Sequence, residues 1–314
     1  MFGLTFSYKY LFFLRSAQPA EPVPPGLHRY WLETPRGPLE LLAAEPDNAT
    51  GPAIVFCHGG MGGAWVWTEY MTYLKERGVR CYAISLRGHG DSWCPHFLRM
   101  VYGTTRGDLE NDLVTAVNWV EKRTGGEVVL VGHSSGGGLS QAVLAAGKVR
   151  ARGLALLGAV PAFGSMGVYM NWARIDPWFS FRMIFHLWHP NSPLSDPSLT
   201  QAAFFGSSFP AERVPAFQHR LNRFESFWWP LSMMRPFARA AQILANVSSR
   251  KVMVMAGEQD ALMTPDVTRA TTAYYRAESE DVEMELVEGA GHHLQNDVQW
   301  EDGAARLLKW YQAL

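Results

Sequence analysis

Short, continuously apolar runs recur along the chain, separated by stretches whose apolar residues fall three and four positions apart. Ala53–Cys57, Val79–Ser85, Glu127–Val131, Gly153–Leu157, Lys251–Met255 and Val282–Val287 each read as a buried strand. Ahead of them, His28–Glu33 and Leu39–Ala44 flank a Pro-Arg-Gly-Pro turn and predict an antiparallel hairpin. Between the second and third of the buried runs the other periodicity takes over, because Leu109, Leu113, Val117 and Val120 share one helical face. Thr105 and Asp108 stand at capping-box spacing just before it. The last stretch, with Trp300, Leu307, Leu308 and Tyr311, predicts a closing amphipathic helix. Strand alternating with helix implies an α/β fold with a mostly parallel central sheet covered on both faces.

One region breaks the alternation. Some ninety residues separate the end of the strand near Ala159 from the strand starting at Lys251, and they are crowded with Trp and Phe. A structureless loop of that length is improbable in a compact domain, so the pattern predicts a helical insertion over residues 161–248. An insertion has little core of its own, so part of its aromatic surface is expected to pack over the main domain and line a pocket. The domain plan is an N-terminal arm (1–27), a core (28–160 and 249–314) and the insertion (161–248).

Composition narrows the field. With 314 residues and a formal net charge of −1, nothing recommends nucleic acid as a partner. The three cysteines Cys57, Cys81 and Cys94 make no disulfide framework, which favours a reducing, cytoplasmic setting. The arm MFGLTFSYKYLFFLRS is aromatic, but Lys9 and Arg15 leave its apolar stretch too short to span a membrane. Packing on the domain is the preferred reading of that arm, with an interfacial membrane or partner contact and a targeting role as alternatives. No other stretch approaches a transmembrane helix. No His/Cys/Asp grouping has metal-ligand spacing, no P-loop is present, and the glycines at 59–63 lack the last glycine of a dinucleotide fingerprint. Neither metal nor cofactor is implied.

The candidate chemistry lies at strand ends. Gly132-His133-Ser134-Ser135-Gly136 follows a buried run and precedes a helical one, and it fits Gly-x-Ser-x-Gly only with Ser134 at the centre. A serine hydroxyl needs a base, and the base an orienting acid. Val254–Asp260 is a strand ending in a turn that presents Asp260, with Glu258 as the lesser alternative. Leu286–His293 is a strand and small-residue turn presenting His292, with His293 read as a packing neighbour. An oxyanion needs fixed N–H donors. Ser135 supplies one, and the other is assigned to Gly60 in His58-Gly59-Gly60-Met61, with Met61 second. His58, His89, His133, Arg87 and Asp91 read as loop scaffolding.

The segments Phe56–Gly60, Leu86–Ser92, Gly132–Gly136, Gly257–Asp260 and Gly289–His293 together resemble the α/β-hydrolase superfamily, in its lid-bearing branch of esterases, lipases and thioesterases. The resemblance covers roughly residues 28–314. It implies a Ser134–His292–Asp260 triad, an acyl-enzyme, and a lid where the aromatic insertion begins. The expected activity is cleavage of an ester or thioester of a hydrophobic acyl group. Acyl transfer or macrolactone-forming release from an acyl carrier is the alternative, and a lyase or a non-catalytic ligand receptor on the same fold is a further one.

Overall fold

A computed structural model describes residues 20–186, 188–222 and 224–314; the expectation for the N-terminal arm falls largely on residues 1–19, outside the described residues. Eight strands form one sheet: β1 (His28–Leu32), β2 (Leu39–Ala44), β3 (Ile54–Cys57), β4 (Cys81–Ile84), β5 (Val129–His133), β6 (Gly153–Leu157), β7 (Val252–Gly257) and β8 (Val282–Val287). Their spatial order is β1-β2-β4-β3-β5-β6-β7-β8. β2 pairs antiparallel with both β1 and β4, and every other pairing is parallel. The fifth strand is displaced from its expected span. It runs on through Gly132 and His133 because β6 continues to pair with it as far as Leu157.

The helices are α1 (Thr68–Lys75), α2 (Arg106–Thr124), α3 (Ser134–Ala145), α4 (Met166–Ile175), α5 (Phe179–Phe185), α6 (Pro197–Phe204), α7 (Val214–Arg220), α8 (Trp228–Leu231), α9 (Ala240–Leu244), α10 (Pro265–Arg276) and α11 (Trp300–Gln312). Helices α4 to α9 occupy the segment between β6 and β7, so the break in the pattern is helical. The capping box of α2 is formed, with the Thr105 hydroxyl accepting from the Asp108 N–H and the Asp108 carboxylate accepting from the Thr105 N–H. Such a cap is worth about 1 kcal/mol.

The continuous apolar character of the strands follows from burial on both faces. On β3, Val55 and Cys57 pack into a core with Leu109, Leu113, Val117, Leu139 and Val143 from α2 and α3. Ile54 and Phe56 point the other way, against Trp67, Tyr70, Leu74, Leu307 and Trp310 from around α1 and α11. At about 1.5–3 kcal/mol for each fully buried large side chain, these two layers dominate the stability. The parallel strands all deliver their C-terminal ends to one edge, where ligands bind in open α/β sheets.

Candidate active site

β5 ends at His133 and α3 begins at the next residue, so the chain reverses within one step. Ser134 takes that step with φ of 51°, the left-handed region a side chain adopts only under compulsion. The compulsion comes from close packing on both sides. The glycines that follow lie inside the first turn of α3 rather than in a loop. A Cβ on Gly136 would meet the His58 carbonyl oxygen at 2.1 Å, and one on Gly137 the Ala159 side chain at 2.4 Å. One on Gly59 would stand 2.8 Å from the Ser134 Cβ. Glycine is what lets α3 seat against β3 and β6 and raises the Ser134 hydroxyl into the open.

Two other strand ends meet it there. His292 Nε2 lies 3.0 Å from Ser134 Oγ, and its Nδ1 lies 2.8 Å from Asp260 Oδ2. With the Nδ1–H donating to the carboxylate, Nε2 is left to accept the serine proton. Asp260 is itself held, because its Oδ1 accepts from the Leu262 and Met263 N–H groups, each at 2.8 Å. Gly158, at the end of β6 with φ of 49°, leaves the room: a Cβ there would sit 3.1 Å from Asp260 Oδ2 and 3.2 Å from His292 Nδ1. The His292 turn is fixed by His133, whose Nε2–H donates to the His292 carbonyl at 3.0 Å. Asp297 fixes it a second way, accepting from the Gly291 N–H at 2.8 Å and from the Gly206 N–H of the insertion at 2.7 Å. Glu258 stands outside the Asp260–His292–Ser134 line; its carboxylate accepts from the Gly289 N–H.

The surrounding histidines are arranged to stay neutral. His58 gives its Nδ1 proton to the Gly59 carbonyl and accepts the Leu86 N–H at Nε2. Burial, followed by neighbouring histidines, holds His58 and His133 well below the ordinary histidine value and brings His293 to about 3. His89 is the exception. Burial works against its charge, but the Glu225 carboxylate beside it leaves it raised above the ordinary value. Arg87 and Asp91 are scaffolding: Arg87 forks onto Asp112 and reaches Asp108, and Asp91 accepts from Arg29.

The N–H groups expected to face an oxyanion are only partly placed as expected. Ser135 is the second residue of α3, where an N–H has no acceptor within the helix. Gly60 lines the same cavity as Ser135, and its N–H donates to the Ser135 Oγ at 2.7 Å. Met61 corrects the reading: its N–H is taken by Glu225 Oε2 at 2.7 Å and so points away as a committed donor. The residues that sequence reasoning missed are Glu225, Asp297 and Gly158. None belongs to a recognisable motif, and each acts on a turn distant in sequence; the glycine after the Gly153–Leu157 run was the only visible signal.

A cavity of about 130 Å³ opens beside Ser134. Its wall combines Gly60, Met61, Ser134, Ser135 and His292 with apolar side chains, among them Val160, Leu262 and Met263 from the core and Val168, Trp172, Leu194, Phe204 and Met233 from the insertion. Among the described residues no group of three His, Cys, Asp or Glu could hold a metal ion, and no helix is long and apolar enough to cross a membrane.

A model of the alpha/beta hydrolase family matches residues 54–307. A non-heme haloperoxidase from Rhodococcus erythropolis is 33% identical over 116 residues, which cover 37% of this chain and only 39% of that protein. Among solved structures, a thermophilic esterase from Thermogutta terrifontis superposes with a TM-score of 0.66 at 18% identity, over 91% of this chain and 98% of that one. A thermostable carboxyl esterase from Bacillus coagulans gives 0.67 at 13% identity, over 92% and 98%. At such identities the structural likeness is one of fold.

Proposed function

The chain belongs to the α/β-hydrolase family, and from that premise we propose that it is a serine hydrolase acting on an ester or thioester of a compact, hydrophobic acyl group. The reading is carried by the hydrogen-bonded line from Asp260 through His292 to Ser134. His292 takes the hydroxyl proton as Ser134 Oγ bonds to the acyl carbon. The carbonyl electrons move onto oxygen, which the Ser135 and Gly60 N–H groups stabilise. Collapse of that intermediate expels the alcohol or thiol, protonated by His292. Water then attacks the acyl-enzyme with His292 again as base, releasing the acid and Ser134. Asp260 holds the imidazole in the one tautomer that serves both halves.

The cavity sets the acyl size. A pocket of about 150 Å³ holds one benzene ring, and this one is close to that at about 130 Å³. Short-chain or aryl acyl groups fit it better than a long lipid or polyketide-like chain delivered by a carrier. A second reading, acyl transfer to hydrogen peroxide with release of a peracid, is favoured by the similarity to a protein named a haloperoxidase.

The test pairs Ser134→Ala with a panel of esters and thioesters of graded acyl length. Fluorophosphonate labelling and turnover are both expected to vanish in the variant, with short or aryl acyl groups preferred in the native protein. Labelling that survives the substitution sinks the nucleophile. Mass analysis of products with and without peroxide or alcohol separates hydrolysis from transfer, and a protein that binds acyl compounds without turnover is a receptor.

A further inference from the structure

We propose that Glu225, in the insertion, is a positioning residue for the oxyanion loop: paired with His89, its carboxylate holds the Met61 backbone so that the Gly60 N–H faces the acyl oxygen of a substrate on Ser134. The proposal rests on the serine-hydrolase reading of the site.

Met61 is a non-glycine residue with φ of 62°, a conformation that persists only where the surroundings impose it. Here both of its main-chain groups are held by one short stretch of the insertion. Its N–H donates to Glu225 Oε2 at 2.7 Å, and its carbonyl accepts from the Asn222 N–H at 2.7 Å. The same stretch grips the neighbouring core loop, since the Asn222 side chain donates to the Gly88 carbonyl and His89 Nε2 meets Glu225 Oε2 at 2.9 Å. Asn222 and Glu225 therefore add a second tie between two loops that the core already joins through His58 and Leu86.

The chemistry of the pair explains why a buried carboxylate is tolerated beside a site where negative charge develops. His89 Nδ1 lies 2.9 Å from the Arg87 carbonyl, which can only accept, so that nitrogen carries a proton. Its Nε2 faces the carboxylate, so the bond between them holds a second proton and the pair is neutral as a whole. Glu225 Oε1 accepts from the Ser226 N–H at 2.7 Å, which leaves the carboxylate with three donors. His89 also packs against the neutral His58 ring at 4.8 Å and edge-on to Trp229. The distance matters: Glu225 Oε2 stands 3.4 Å from where a Cβ on Gly60 would be. An unpaired negative charge there would oppose the oxyanion, and the proton on His89 removes that penalty. In the free protein the Ser135 hydroxyl occupies the Gly60 N–H, and the acyl oxygen takes its place when substrate arrives.

Three variants separate reach from charge. Glu225→Met keeps the volume without an acceptor, Glu225→Gln keeps one oxygen that takes the Met61 N–H when His89 holds both ring protons, and Glu225→Asp keeps the charge but draws it back. With the best ester of the panel, Met is expected to lower kcat by about 10- to 100-fold with KM within about twofold. Gln is expected to lose less than Met, about tenfold at most, and Asp to fall below Gln. Rates are referred to sites counted by fluorophosphonate titration, so loss of folded protein does not enter. Native kcat in Glu225→Met overturns the proposal, as does an equal fall in Met and Gln, or a change confined to KM. Should Glu225→Met not fold, the order of Gln and Asp decides, and Asp at or above Gln overturns it. Turnover by Ser134→Ala would instead overturn the underlying reading, whatever Glu225 does.

Discussion

The turns around Ser134 are so close-packed that a Cβ on Gly136 would lie 2.1 Å from a backbone oxygen of the neighbouring strand end. In the insertion above them, Met170 is 62% exposed and Trp188 55%, with Trp178 and Phe181 also in solvent. One region spends glycines to bring backbones together, while the other carries large side chains and leaves several of them outside. Yet the insertion reaches back to the core with polar, backbone-directed contacts: Gly206 to Asp297, the Phe204 carbonyl to the His293 N–H, and Asn222 and Glu225 to the Met61 main chain. Close packing around Ser134 is built by the core, and the loops that face it are hydrogen-bonded to the insertion. Bulk apolar surface in the insertion supplies a wall, and a few hydrogen bonds supply its register.

The comparison breaks most sharply at the core. Gly136→Ala forces a methyl group into the His58 main chain, and should cost about 3 kcal/mol or more because backbone cannot swing aside. Denaturant midpoints would measure the loss, and fluorophosphonate labelling of the remaining folded protein should slow. A near-native midpoint would show the elbow to be softer than its contacts indicate.

The histidines set a second contrast. His293, held to about 3 in the fold by burial and His292, is neutral there across the range in which the unfolded chain protonates near 6.5. The unfolded state thus binds more protons between those values, and stability falls as the pH drops from about 6.5 toward 3, by ~1.4 kcal/mol per pH unit for each such residue. His58 and His133 act in the same direction. His89 has the opposite sign, its raised value giving stability that is present below about 6.5 and lost as the pH rises through its folded value. Thermal midpoints between pH 7 and 4.5 should fall steeply, and His293→Gln should flatten the slope; an unchanged slope counts against the neutral-histidine shell.

The smallest effect is expected in the insertion. Trp172→Ala removes part of the cavity wall and should lower kcat/KM for phenyl-sized acyl groups about fivefold, ~1 kcal/mol, while longer acyl groups lose less or gain. Equal loss at every acyl length would mean that this helix supports the fold and leaves substrate size alone.

Reading the chain as a string goes far in the core and stops at the insertion. β6 and β8 fall on their expected bounds, and the capping box ahead of α2 is formed as its spacing predicted. Period and capping are local properties, so neighbouring residues are enough to encode them. Ser134, Asp260 and His292 could be singled out because each sits in a turn whose small residues mark a strand end. Met61 could not be placed, since its N–H is committed to a carboxylate 164 positions away. Glu225 itself stands among aromatic residues with nothing nearby to mark it.

What the sequence determines alone is thus the alternation of strand and helix, the elbow and the order of the three polar side chains, all properties of short windows. Tertiary structure decided which N–H groups remain open at the site, which histidine carries a paired proton, and how small the cavity is. Those depend on the meeting of segments far apart in the chain, and burial and hydrogen-bond competition resolve them only when every partner is in place.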